Sequence, residues 1–334
     1  MSEEQTQKFK AAVIGCGRIG SGQDLHSPSL GVYSHCEAFH VCQSTDLVAV
    51  CDPNADALEK CQNRWNSPMA FTSVEDLLAT SNPEIVSICA PDREHAPVAR
   101  LVLEAPSTRC VILEKPLAAT LQEALEIVEI ADRMGIPLLV NYTRRYCDSH
   151  RQLRDFVQGG GLGRFISISG IYTKGIFHNG THWIDLLHFL GEEIQTIHAA
   201  GAVDYYDEDP TLSFSFQTRS GALGVLQGFP KDVCTVFEAE FRGELGRVRI
   251  LDSGAEFEWW HITDSPDYAG HRVFRRTNGF TGGLADAVLH LVEDAISCIE
   301  SHSQPICSGR DALKAMAVAT AAKRSFEEKM GIVL

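Results

Sequence analysis

Over the first 140 positions, apolar residues come in short runs separated by helix-length amphipathic stretches. Ala11–Ile14, Leu47–Cys51, Ile85–Cys89, Cys110–Leu113 and Leu138–Val140 each read as a buried strand, spaced widely enough for crossover helices. Ser73 stands three residues before Asp76 and Thr120 three before Glu123, so that each hydroxyl can accept a free backbone N–H at a helix start. Behind Thr120, the residues Leu121, Leu125, Val128 and Ala131 share one face, and Gly135 with Pro137 ends the helix. The pattern predicts an α/β fold, a doubly wound parallel sheet spanning residues 1–142.

The texture changes after residue 150. A helix over His150–Gln158 is followed by the alternating strand Phe165–Tyr172, a turn rich in glycine and histidine, and a helix over His182–Leu190. Strand-length segments follow at Leu212–Phe216, Leu223–Leu226, Val233–Phe241, Arg247–Leu251 and Phe257–His261, separated by Ser-Gly and Gly-Glu steps. Such spacing predicts an antiparallel meander. Helices over Leu284–Ser301 and Arg310–Met330 close a second domain, residues 143–334, whose last helix can pack back on the first.

Composition narrows the function. A chain of 334 residues accommodates two domains. The net charge of −15, with its basic residues dispersed, gives no footprint for nucleic acid. No stretch approaches the roughly 20 apolar residues of a membrane span, and MSEEQTQ has no signal-peptide character, so a soluble cytoplasmic protein is expected. The eleven cysteines form no C-x-x-C pair and read as buried free thiols.

The strongest chemical signal is the turn that follows the first strand. Gly15, Gly17 and Gly20, with Arg18 and Ile19 between them, give the spacing that cradles a pyrophosphate at a strand-to-helix turn. Asp52, at the end of the second strand, can accept ribose hydroxyls and would repel a 2′-phosphate, which favours NAD over NADP. The segment 22–39 lengthens the link between these elements. Its Asp24, His26, Tyr33 and His35 either line a substrate mouth or decorate a surface insertion.

Two further constellations carry proton chemistry. Glu114, Lys115 and Pro116 fall at the carboxyl edge of the sheet, where open α/β folds bind ligands. Lys115 there either handles a proton beside the cofactor or neutralises Glu114. The segment IFHNGTHWIDLLHFL brings His178, His182 and Asp185 to a helix start, with Asn179 or Thr181 as N-cap. His182 in a first turn suits a general acid or base, Asp185 can orient it, and His188 reads as an ordinary helix-surface residue. His178 and His182 are four apart, but the H-E-x-x-H glutamate is missing and a glycine intervenes, so no metal is expected. Arg144, Arg145 and Tyr172 can bind a substrate anion or hydroxyls, with structural ion pairs as the alternative for the two arginines.

The order GCGRIG, CDP, CAPDREH, EKP, GTHWIDLL resembles the glucose-fructose oxidoreductase / inositol dehydrogenase / rhizopine catabolism family along nearly the whole chain. The resemblance implies a Rossmann domain followed by an α+β domain with a large, open, mainly antiparallel sheet. It implies NAD-dependent hydride transfer on sugars, cyclitols or nucleotide-activated sugars, in a homodimer or homotetramer. Carried over by position, Lys115 and His182 are catalytic, Pro91 and His95 edge the nicotinamide, and Glu114 belongs to the cofactor site. Where family dehydrogenases often carry aspartate four residues before the histidine, this chain has His178. This leaves either Lys115 with His182 alone, or a variant in which His178 or Asn179 contacts substrate; Asp185, Arg145 and Tyr172 are the further substrate-site candidates. That departure keeps a cofactor-binding sensor without turnover as the alternative; a metal-dependent hydrolase built on His178 and His182 is the third.

Overall fold

The computed structural model describes residues 8–23, 31–67, 69–277 and 279–334, which fall into two compact units. Asp24 and His26 lie outside the described residues.

The first unit alternates strand and helix: β1 (Phe9–Ile14), α1 (Arg18–Ser21), α2 (His35–Val41), β2 (Thr45–Cys51), α3 (Ala55–Trp65), β3 (Met69–Phe71), α4 (Val74–Ser81), β4 (Ile85–Ile88), α5 (Asp92–Glu104), β5 (Cys110–Leu113), α6 (Leu121–Met134) and β6 (Leu138–Val140). The strands form one parallel sheet in the order β3-β2-β1-β4-β5-β6, the doubly wound arrangement with its switch point between β1 and β4. Every residue of β4, β5 and β6 is buried, as a sheet covered on both faces requires. The predicted caps form: Ser73 accepts the Asp76 N–H, Thr120 and Glu123 make a reciprocal capping box, and Gly135 closes α6 at φ 67°. Part of the lengthened link folds as α2, capped by Ser34.

In the second unit come α7 (Asp148–Gln158), β7 (Phe165–Tyr172), a π-helix over Gly175–Gly180, α8 (Thr181–Phe189), β8 (Ile194–Tyr206), β9 (Asp209–Thr218), β10 (Leu223–Gly228), β11 (Phe237–Gly243), β12 (Gly246–Leu251), β13 (Glu256–Asp264), β14 (Arg272–Arg276) and β15 (Phe280–Thr281). The chain continues through α9 (Ala287–Ser301) and α10 (Gly309–Glu328) to β16 (Ile332–Val333). The sheet runs β14-β13-β12-β11-β7-β10-β9-β8-β16, with β15 on β13. Its pairs are antiparallel except β7–β10, so the sheet is mixed and the predicted meander holds on either side of that one parallel step. The strand predicted from Val233 starts only at Phe237, opposite Tyr172 of β7; Val233 itself is an exposed loop residue without a ladder partner.

The cut predicted after residue 142 falls after Tyr146, and Ala285–Leu313 belongs to the first unit rather than the second. The cause is the apolar face of α9: Ala287, Val288, Leu291, Val292 and Ala295 are buried where that helix packs on β5, α2 and the turn Thr143–Tyr146. Tyr146 and His290 fasten it, the hydroxyl of one donating to Asp294 at 3.3 Å and the ring Nδ1 of the other lying 2.8 Å from the Tyr146 carbonyl.

Candidate active site

The glycine turn follows β1 directly. Gly15 has φ 99°, and a Cβ there would stand 2.4 Å from the Cys89 carbonyl oxygen; a Cβ at Gly20 would stand 1.9 Å from the Gly15 carbonyl oxygen. Both positions are glycine because the fold leaves no room. Gly17 is different: nothing lies within 4 Å of its would-be Cβ, and the residue is exposed. That open space is what close approach of a pyrophosphate needs. Arg18, exposed, and Ile19, half-buried, follow it in the four-residue α1, which ends at Gly22 with φ 74°.

Asp52 follows β2 and turns back to this loop. One carboxylate oxygen accepts the Cys16 N–H and the other the Asn54 N–H, each at 2.8 Å. Each oxygen keeps a further lone pair for a ribose hydroxyl. An open cradle at Gly17 beside a half-buried carboxylate fits an adenine dinucleotide with a free 2′-hydroxyl.

At the carboxyl end of β5 the chain runs Glu114, Lys115, Pro116 through a cis peptide. Glu114 is buried, and its Oε1 lies 2.9 Å from His35 Nε2 and 2.6 Å from Asn141 Nδ2. His35 Nδ1 in turn meets the Ser87 hydroxyl at 3.0 Å. Burial drives the Glu114 carboxyl up, but the His35 hydrogen bond and charge, then Asn141 and Lys115, outweigh it and hold the group below the ordinary carboxylate value. His35 is therefore part of a buried network under the strand ends rather than a residue of an open mouth. Tyr33 is half-buried just before α2. Lys115 is half-buried at the same edge as the glycine turn.

Pro91 is the N-cap of α5, and His95, one turn in, has no exposed surface. Its Nδ1 lies 2.7 Å from the Pro116 carbonyl and its Nε2 2.8 Å from the Ala90 carbonyl. The ring thus clamps the two loops that follow β4 and β5, and a part in cofactor binding has to act through them.

In the second unit the histidine segment is built differently from its prediction. Gly180 has helical φ −59° and ψ −34°, so the π-helix runs into α8 without a break and neither Asn179 nor Thr181 caps a helix start. Thr181 instead bonds back to the Phe177 carbonyl at 2.7 Å. His182 accordingly does not sit in a free first turn, and the helix-end argument for its charge state falls away. Six residues of π-helix are rare and concentrate at functional sites.

The true start of this segment is held by Asp209, at the head of β9. Its Oδ2 accepts the N–H of Phe177 at 3.0 Å and of His178 at 2.8 Å, and Gly175 carries no side chain where a Cβ would fall 2.0 Å from that oxygen. Burial pushes the Asp209 carboxyl up to about 6, against the pull of the backbone N–H groups of His178, Phe177 and Ile176. The histidine segment is fixed to the sheet by Trp183, whose indole fills the space above Gly170 and donates to the Glu238 carbonyl at 3.2 Å. With Trp183, Ile184, Leu186 and Leu187 buried, His178, Asn179 and His182 remain half-buried, the His178 ring 4.6 Å from that of Tyr206. Asp185 is 1 % exposed, on the buried side of α8.

Two predicted substrate residues have other work. Tyr172 is fully buried, and its hydroxyl donates to the Leu212 carbonyl and accepts the Leu212 N–H at 3.0 and 2.8 Å. Arg145 is buried, donates to the Ile306 carbonyl at 3.0 Å and pairs with Asp311 at 3.5 Å. Sequence inspection missed Asp209 and Asn141. Asn141, directly after β6, carried the same strand-end signal as Glu114; Asp209 carried none, because its partners lie about thirty residues away. Among the described residues no group of three His, Cys, Asp or Glu side chains is arranged to hold a metal, and no helix is long and apolar enough to cross a membrane.

Residues 9–142 match the family model described as an oxidoreductase family with an NAD-binding Rossmann fold. That model is the glucose-fructose oxidoreductase / inositol dehydrogenase / MocA one, and the cofactor it describes for these residues is NAD. Myo-inositol 2-dehydrogenase of Thermotoga maritima is 25% identical, with 98% of each chain covered. Among solved structures, the WlbA dehydrogenase of Bordetella pertussis in complex with NADH and UDP-GlcNAcA superposes with a TM-score of 0.79 at 22% identity, covering 98% of this chain and 99% of that one. Scyllo-inositol dehydrogenase from Lactobacillus casei, with bound NAD(H) and scyllo-inositol, gives 0.77 at 17% identity over the same shares.

Proposed function

We propose that the protein is an NAD-dependent dehydrogenase or ketoreductase acting on a hydroxyl or keto carbon of a sugar, cyclitol or nucleotide-activated sugar. The observation that carries this is the family match over residues 9–142, in which the glycine turn and Lys115 occupy the same carboxyl edge of the parallel sheet. The names of similar proteins, inositol dehydrogenases and a dehydrogenase in complex with NADH and UDP-GlcNAcA, support that substrate class.

Bound NAD supplies the hydride acceptor. The chain's own residues handle the proton and the charge. His182, half-buried on α8, takes the hydroxyl proton; Lys115 steadies the developing alkoxide by a charge-assisted hydrogen bond. His178 and Asn179, on the adjoining π-helix, contact neighbouring hydroxyls. Glu114, locked by His35 and Asn141, sets the position of Lys115 rather than touching substrate. The family resemblance favours assembly as a homodimer or homotetramer.

The test is a panel of inositols, free sugars and UDP-sugars with NAD, followed at the nicotinamide absorbance. Lys115→Ala and His182→Ala should each lower kcat by about 100-fold or more, the ordinary worth of a positioned proton-handling group, with NAD affinity little changed. Unaltered turnover in both variants would overturn the assignment.

A further inference from the structure

Three cysteines meet beneath the nucleotide turn. Cys16 stands between Gly15 and Gly17, Cys36 in the first turn of α2, and Cys61 inside α3. The sulfurs of Cys36 and Cys61 are 3.8 Å apart, Cys16 donates its thiol toward the Cys51 carbonyl at 3.7 Å, and Cys16 and Ser21 act electrostatically on Cys61. All three cysteines are fully buried and none is in a disulfide. A core position needs only apolar volume, which alanine or valine would supply. Two thiols in contact, with a third beside them, supply reactivity as well.

These neighbours make the three sulfurs unequal. Cys16, then Cys36, and further Ser21 pull the Cys61 thiol well below its ordinary range against the opposing effect of burial. Cys16 is pushed up by Cys61 and by burial, and Cys36 by burial and its bond to Cys61. The cluster thus holds two sulfurs in contact, unequal in their surroundings, as an attacking and a resolving cysteine must be.

We propose that Cys61 and Cys36 form an oxidative modification site, at which a hydroperoxide closes an intramolecular disulfide that weakens dinucleotide binding at the Gly15–Gly20 turn. The Cys61 thiolate attacks one oxygen of hydrogen peroxide; the S–O bond forms, the O–O bond breaks, and the departing hydroxide takes a proton to leave as water. The Cys36 sulfur then attacks Cys61; the S–S bond forms, the S–O bond breaks, and the second hydroxide leaves as water with the Cys36 proton. Two thiols and one peroxide become one disulfide and two waters. Closing the sulfurs from 3.8 Å to about 2.0 Å draws α2 toward α3 and turns Cys61 off Cys16, removing a support of the phosphate loop. By linkage, NAD on the turn must oppose the disulfide by the same factor that the disulfide opposes NAD.

The full-length protein, free of nucleotide, is treated with graded hydrogen peroxide, alkylated, digested and analysed by mass spectrometry, with the NAD Kd measured by calorimetry on the same samples. The expected result is a linked Cys36–Cys61 peptide, a Kd raised about tenfold and restored by dithiothreitol, and slower disulfide formation when NAD is present. Cys36→Ser and Cys61→Ser should each lose the linked peptide and keep a peroxide-insensitive Kd. Cys36→Ala serves if a serine variant fails to fold. Cys234, exposed, reports non-specific oxidation. The proposal is overturned if Cys36 and Cys61 stay alkylatable after Cys234 has reacted, if the disulfide forms with an unchanged Kd, or if the Kd rises equally in Cys36→Ser. Sugar turnover enters none of these readouts.

Discussion

Each unit contains a carboxylate that organises a candidate site, buried in the first and half-buried in the second, and the two are pushed in opposite directions. Glu114 in the first unit is held below its ordinary value, whereas Asp209 in the second is raised to about 6. Both accept short hydrogen bonds. Glu114 receives them from an imidazole and a side-chain amide, and a cationic lysine follows it in sequence; Asp209 receives them from backbone N–H groups alone. Partners that carry charge offset the loss of solvation, and neutral amides at this depth do not offset it fully. Glu114 is thereby favoured as the anion, while Asp209 holds the histidine segment in a protonation-dependent grip.

Removing the partner from the first carboxylate should do the most damage. His35→Ala leaves Glu114 buried with Asn141 as its remaining side-chain partner, and urea unfolding at neutral pH should register a loss of about 3 kcal/mol, the upper scale for leaving a buried carboxylate short of a hydrogen-bond partner. A loss below about 1 kcal/mol would mean that His35 is not what holds Glu114 down.

The pH dependence of stability separates the two carboxylates next. For Asp209 the folded value lies above the unfolded one, so its contribution is full below 3.8 and drains away as pH rises through about 6. For Glu114 the folded value lies below 4.5, so its contribution is present above that pH and is lost as pH falls through the folded value. Asp209→Asn should therefore flatten the decline between about pH 4 and 6, a change of about 2 kcal/mol, and Glu114→Gln should alter only the acid limb. Identical curves for the two variants would erase the contrast.

A smaller effect tests the grip itself. Asp209→Ala should cost about 1–2 kcal/mol, as loss of a helix cap does, and lower kcat/KM on whatever sugar is turned over. Asp209→Asn keeps one acceptor oxygen and should restore most of the activity. Tyr172→Phe is the smallest: loss of the hydroxyl's two bonds to Leu212 should remove about 1 kcal/mol in thermal unfolding and leave kcat unchanged.

What was legible in the chain follows one division. The Thr120–Glu123 capping box, the Gly135 stop and the alternation of Phe165–Tyr172 depend on residues within a few positions of one another, and each appears as predicted. The overrun at Val233 shows the limit, since β-forming residues extend a strand only where a neighbouring strand offers a ladder. The glycine turn was legible because the steric demands at Gly15 and Gly20 are written in the residue type itself. The geometry of the histidine segment was not legible, because glycine at 180 suggested a break where the chain winds on as a π-helix.

The sequence alone determined the parallel nucleotide domain, the place of its phosphate loop and the strand-end position of Lys115, all of which rest on local backbone preference and the period of burial. Only the tertiary structure decided that His35 serves Glu114 from 79 residues away, that Asp209 anchors the histidine segment, and that Tyr172 and Arg145 are spent on packing and pairing. The reason is energetic: a buried polar group must find a partner, and which partner it finds depends on what the fold brings beside it rather than on what precedes it in the chain.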